Sequence, residues 1–122
     1  MADKLKVVYK EIGKRPKTMF IDDTLEAKQK IVGGLIEIIP YKENLLLVCN
    51  EEGKIMNLPA NVQFPNDYIA GDFFVVGDDF ENSGYKSLTQ KEIMEVKKDL
   101  NSRTILYPEI DYLDNKDEME VE

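Results

Sequence analysis

The chain has 122 residues, of which 43% are hydrophobic and 33% charged, with a net charge of −8, a single cysteine and no histidine. Such a composition suits one folded domain with one core, and it excludes an internal disulfide, zinc sites of the Cys/His kinds and any nucleophilic or acid–base chemistry that needs imidazole. The longest apolar runs, Leu45 to Cys49 and Phe73 to Val76, fall far short of the ~20 residues of a membrane span, and charges interrupt the N-terminus before a signal-like segment forms, so a cytoplasmic protein is expected.

In chain order, Leu5, Val7 and Tyr9 alternate, as do Met19 and Ile21, on either side of the turn residues Gly13-Lys14-Arg15-Pro16, which predicts an N-terminal β-hairpin. A short helix follows, with Asp22 or Asp23 as N-cap, Leu25, Ile31 and Val32 as its apolar stripe and Gly33-Gly34 as its stop. Leu35 to Pro40 and Leu45 to Asn50 read as a second hairpin of two central strands buried on both faces, because their apolar runs are almost unbroken. After the turn Asn50-Glu51-Glu52-Gly53, a brief strand from Lys54 to Leu58 is expected to pair back, and Pro59 to Asp67 is expected to be loop. Ile69 to Val76 reads as a strand with a bulge or close backbone approach at Gly71. A polar loop from Asp78 to Gly84 leads into a helix that opens on the capping box Thr89/Glu92, buries Ile93, Val96 and Leu100 and ends near Asn101. Ile105 to Tyr107 could add an edge strand or fold over the body.

Charge is unevenly placed. From Pro108 to Glu122 there are seven acids against Lys116, a net of −6, so the body is only −2. Residues 1–107 are therefore expected to form the domain and 108–122 an acidic, disordered tail. The first twenty residues carry six bases against Asp3 and Glu11, a local +4 that could attract phosphate or simply solvate a hairpin.

Three constellations have chemical potential. Asp79-x-Glu81-x-Ser83-Gly84 imitates the start of a calcium loop, but Gln90 stands where the bidentate carboxylate belongs and Lys86 where an apolar residue is wanted, so no metal site is expected. The carboxylates Glu37, Glu51, Glu52, Asp72, Asp78 and Asp79 could pair for acid–base work, yet an acid-rich chain shows such sets by chance, and no catalytic residue is expected. An enzyme would need a metal on Asp72, Asp78 or Asp79. The loop Asn50-Glu51-Glu52-Gly53 with Asn57 and Asn61 offers amide donors and acceptors, open backbone and an acid, a mixture that suits a small polar ligand; Asx turns would explain the same asparagines.

The pieces IVGGLIEIIP, NEEGKIMNLPAN and IAGDFFVVGDD, with SLTQKEI after them, resemble an uncharacterised bacterial and phage family, domain of unknown function 3846, up to about Leu100. Its recurring positions match Gly33, Gly34, Glu37, Asn50, Glu51, Gly53, Leu58, Pro59, Asn61, Gly71 and Gly77. The resemblance implies no activity. By analogy with small accessory proteins of phages and mobile elements, it implies a counter-defence factor that sequesters a host nucleotide signal.

The expectation is thus an α+β domain, a mostly antiparallel sheet of five to six strands with two helices. It would bind a small nucleotide-like ligand without catalysis and without a cofactor, in the host cytoplasm, and it could form a homodimer. Asn50, Glu51, Asn57 and Asn61 would meet base or ribose, Gly53 would expose amides, and Lys14 or Arg15 would meet phosphate. Replacing Asn50 and Asn61 by alanine is expected to abolish binding and leave the melting temperature nearly unchanged. The alternative is an inhibitor of a host protein acting through its acids, either by docking or by mimicking nucleic acid; on either reading no direct nucleic acid binding and no membrane contact are expected.

Overall fold

The computed structural model describes residues 3–108. The expected N-terminal hairpin forms as β1 (Lys4–Lys10) and β2 (Lys17–Asp22), paired antiparallel from Lys4 opposite Asp22 to Tyr9 opposite Lys17. Helix α1 (Leu25–Val32) follows, but its N-cap is Thr24, whose hydroxyl accepts from the Ala27 N–H at 3.1 Å. The two aspartates expected to cap are committed elsewhere: Asp22 pairs with Lys4 and Asp23 with Lys28. Gly33 ends the helix at φ +78°, a left-handed conformation that costs glycine least. The expected stripe holds at Val32 and Ile31, whereas Leu25 stays exposed.

Strands β3 (Ile36–Pro40), β4 (Leu45–Asn50), β7 (Phe73–Asp79) and β8 (Gly84–Lys86) complete a six-stranded sheet. Its order is β2-β1-β7-β4-β3, with β8 alongside β7, and every pairing is antiparallel. A separate hairpin, β5 (Ala60–Phe64) and β6 (Asp67–Ala70), lies off this sheet. Helix α2 (Gln90–Arg103) starts on the expected capping box: Thr89 accepts from the Glu92 N–H, and the Glu92 carboxylate accepts from the Thr89 N–H. It ends two residues later than expected. The architecture is α+β.

The sheet is covered on both faces, which explains the unbroken apolar runs. One face, built from Leu5, Val7, Ile21, Val48, Phe74 and Val76, packs under α1 through Val32. The other, with Val8, Leu45, Leu47, Phe73 and Val75, packs under α2 through Ile93, Val96 and Leu100 and under the β5–β6 hairpin through Val62 and Ile69. Strands β7 and β4 are interior and buried; β3, expected to be buried on both faces, is an edge strand with Glu37, Ile38 and Pro40 exposed. Ile36 still packs on the α1 side and Ile39 on the α2 side, so only part of each face of β3 is covered.

Three further expectations are corrected. The segment from Lys54 to Leu58 is a run of turns closed by Met56 N–H to Glu52 O (2.9 Å) and Leu58 N–H to Gly53 O (2.9 Å), with Ile55 81% exposed, so its apolar residues signalled no strand. Pro59 to Asp67 is no loop: Pro59 and Pro65 flank β5, outside its ladder, where a missing N–H does no harm. The single strand expected from Ile69 to Val76 is two strands in different sheets, broken at Gly71 (φ +85°). The close approach foreseen there is real, since a Cβ on Gly71 would lie 2.8 Å from Leu58 Cδ1. Gly71→Ala is therefore expected to destabilise by about 1–3 kcal/mol, read as a lower midpoint in urea unfolding.

After α2 the chain runs beside β5 without forming a strand: Thr104 bridges Val62, Ile105 N–H donates to Asn61 O (3.0 Å) and Tyr107 Oη donates to Ala60 O (2.8 Å). The acidic tail expected over 108–122 lies, from 109 onward, outside the described residues.

Candidate functional site

A cavity of 190 Å³ opens between β3 and β6. Glu37 and Ile39 of β3, Cys49 and Asn50 of β4, and Tyr68, Ile69 and Ala70 of β6 form its walls. The turns after β4 supply Glu51, Gly53, Lys54 and Ile55, and Asp67 completes the lining. Glu37 and Ile39 reach it together because alternate residues of a strand share a face. Gly53 is required by close packing: a Cβ there would lie 2.9 Å from the Ala70 carbonyl oxygen.

The lining is rich in acids. Lys54 is its one cation among the described residues, and it is held by the Asp67 carboxylate while its ammonium sits 4.6 Å from the Tyr68 ring centroid. That bond, with a further one from the Tyr68 N–H, holds the Asp67 carboxyl below its ordinary range and raises Lys54 above its own. Glu37 and Glu51 are exposed and able to accept hydrogen bonds from a ligand. The Cys49 thiol is pushed up to about 11, first by burial and then by Glu37, so it contributes a wall and not a nucleophile. A second hollow of 260 Å³ continues beyond the shared residues Ile39, Asp67 and Ile69, and it is apolar, with Leu47, Phe64 and Pro40 in its walls.

Of the expected ligand residues, Asn50, Glu51 and Gly53 are brought to the cavity, whereas Asn57, Asn61, Lys14 and Arg15 do not line it. Asn50 is buried and used by the fold: its Nδ2 donates to the Val32 carbonyl at the end of α1 (3.0 Å), and its Oδ1 accepts from the Glu52 N–H (2.7 Å) in an Asx turn. Asn57 is an exposed turn residue at φ 59°. Lys14 lies in the β1–β2 turn with its ammonium 3.8 Å from the Glu11 carboxylate, and Arg15 lies in the same turn.

Asn61 is wholly buried. Between Ala60 and Val62 the β5–β6 register slips by one residue, and this bulge turns Asn61 into the interior. Its Oδ1 accepts from Lys10 Nζ (2.7 Å), and its Nδ2 donates to the carbonyls of Lys10 (3.0 Å) and Gly71 (2.9 Å). Lys10, also without exposed surface, donates to the Glu11 carbonyl as well (2.9 Å). Burial lowers its pKa to about 8, against the partial opposition of Asp72 and Glu11. Asp72 is occupied in turn, accepting from the Ile12 N–H (2.9 Å) and Tyr9 Oη (3.3 Å). The internal bonding of both asparagines overturns the expectation that losing them would leave melting unchanged.

Tyr68, Lys54 and Asp67 were not foreseen as wall residues. The signal was present in the turn pair Pro65-Asn66 between the runs ending at Phe64 and beginning at Tyr68, which is a hairpin pattern. Among the described residues, no group of three or more Cys, Asp or Glu side chains is placed to hold a metal ion, and no helix is long and apolar enough to cross a membrane.

The family model for "Domain of unknown function (DUF3846)" matches residues 5–101. The chain belongs to DUF3846. No curated protein and no solved structure matches it. The DUF3846 match runs from Leu5 of β1 to most of α2, and so includes every wall of the cavity.

Proposed function

We propose that this DUF3846 chain is a non-catalytic binding protein that seats the base and sugar of a small nucleotide-like ligand in the cavity between β3 and β6. The observation that supports this reading is the pairing of two accessible acceptors, Glu37 and Glu51, with the Tyr68 wall and an apolar extension. Carboxylates accept from amino and hydroxyl groups, an aromatic ring favours a flat base, and the apolar extension takes a ring edge. Phosphate is poorly served, because Lys54 is already held by Asp67 and the bases of the β1–β2 turn lie outside the lining. The biological role attached to this reading is sequestration of a host nucleotide signal by a phage or mobile-element protein in the host cytoplasm, and a homodimer belongs to the same proposal. The competing reading, docking through the acidic tail, rests on residues outside those described.

Native mass spectrometry of protein purified from its own carrier cells tests the proposal, with a retained nucleoside- or nucleotide-sized mass as the expected result. Glu37→Gln and Glu51→Gln should each weaken binding by about tenfold or more, since a hydrogen bond to a charged group contributes ~1.5–3 kcal/mol, while thermal melting stays unchanged because both side chains are exposed. An empty protein that also gives no calorimetric heat with a panel of nucleosides and nucleotides would end this reading.

A further inference from the structure

We infer that the free edge of β3 pairs with β3 of a second copy of this chain, in an antiparallel register centred on Ile38. Glu51 N–H donates to Leu35 O (2.8 Å) and Tyr41 N–H to Leu45 O (3.1 Å), so the backbone groups of Leu35, Glu37, Ile39 and Tyr41 turn inward to β4. Those of Ile36, Ile38 and Pro40 turn outward, and among the described residues no strand pairs with that edge. An unpaired row of this kind is a template for another strand.

The sequence of β3 selects a two-fold mate and one register. With Ile38 opposite its own copy, Ile38 N–H and C=O are satisfied in both directions, and Ile36 N–H donates to Pro40 C=O of the mate. Proline has no N–H to return to the Ile36 C=O of the mate, so that acceptor is left to water at each end of the ribbon while the four central bonds form. Shifting the register by two residues one way would set Glu37 directly against Glu37 of the mate, which like-charge repulsion disfavours, and shifting it the other way would set Pro40 against Ile38 and leave both Ile38 carbonyls without a donor. In the chosen register Glu37 meets Ile39 instead. The side chains agree with the backbone: Ile38 is 44% exposed and would face its copy, and Leu35, 55% exposed, would face Tyr41. The opposite edge of the sheet differs, since β2 has charges at both ends, Lys17 and Asp22, and its exposed Phe20 lies under the Lys6 ammonium at 5.9 Å. Such charges keep an edge unpaired.

Sedimentation of the full chain across the micromolar range should give a concentration-dependent dimer. Ile38→Pro replaces only an outward N–H and leaves the β3–β4 ladder intact, so it should remain folded by circular dichroism and sediment as a monomer. As a second test that keeps the backbone, Ile38→Cys should be joined to its copy by a short thiol-specific cross-linker, whereas Phe20→Cys on the other edge should not. A wild-type chain that stays monomeric throughout, a folded Ile38→Pro that remains dimeric, or cross-linking that favours Phe20→Cys would each overturn the inference. Ligand binding enters none of these readouts, so failure here and failure of the nucleotide reading are separable.

Discussion

Asn61→Ala is expected to destabilise the protein by about 3–5 kcal/mol, enough to bring a domain of ordinary stability close to unfolding at growth temperature. The magnitude follows from what the side chain leaves behind. Lys10 Nζ loses its buried acceptor, and the carbonyls of Lys10 and Gly71 lose a donor in a place water does not reach. An unmade hydrogen bond costs most when the orphaned group is buried, and more again when it is charged. The damage spreads because Asn61 joins the end of β1, the β6–β7 turn and, through its own carbonyl, the segment after α2. Urea denaturation monitored by circular dichroism measures the loss directly. A change below about 1 kcal/mol, the scale of an ordinary hydrogen bond, would show that the buried bonds of Asn61 do not hold these segments together.

Between wild type and Lys10→Met, the difference in unfolding free energy is expected to change by ~3 kcal/mol between neutral pH and pH above 10. In the folded protein Lys10 titrates at about 8, against an ordinary 10.5. Below both values the lysine is protonated in either state, and the burial of its charge counts against folding in full. Between them the unfolded chain holds more protons than the folded one, so the contribution of Lys10 to stability rises with pH, and it is complete above the unfolded value. Other groups run the opposite way: Cys49, Tyr9 and Tyr41 have raised values, keep their protons longer when folded and therefore lose stability as the unfolded groups ionise. The wild-type curve alone mixes these effects. Subtracting the Lys10→Met curve removes them, because both proteins retain all three, and the lost Asn61 contact adds a pH-independent offset. A difference that stays flat across this range would mean that Lys10 titrates normally.

These two residues also mark where sequence reading stopped. The Asn61 amide both donates and accepts, which suits a ligand, and the same versatility serves the interior once a one-residue bulge turns it inward. Lys10 belongs by sequence to a basic N-terminal cluster that could meet phosphate or water, yet its alternation with Val8 places it on the face under α2 and β5. Nothing local to either residue announces the other, since 51 positions separate them. Of the candidate site, Asn50, Glu51 and Gly53 were legible as a polar turn between strands. The opposing wall was not, because Asp67, Tyr68 and Ile69 become neighbours of Glu37 only when the β5–β6 hairpin folds over the sheet.

By itself the sequence determined the local elements: the hairpin β1–β2, the glycine stop of α1, the Thr89/Glu92 capping box of α2 and the buried runs of β4 and β7. Each depends on residues close together in the chain, through alternation, helical spacing or a cap, and such signals need no distant partner. Tertiary structure alone decided that Asp22 is already paired with Lys4 across the hairpin, which strand became the exposed edge, where the apolar run broke at Gly71 and which asparagine turned inward. Those outcomes depend on contacts between segments far apart in sequence, where competition for the same buried hydrogen bonds and charges is settled only once the layers have packed.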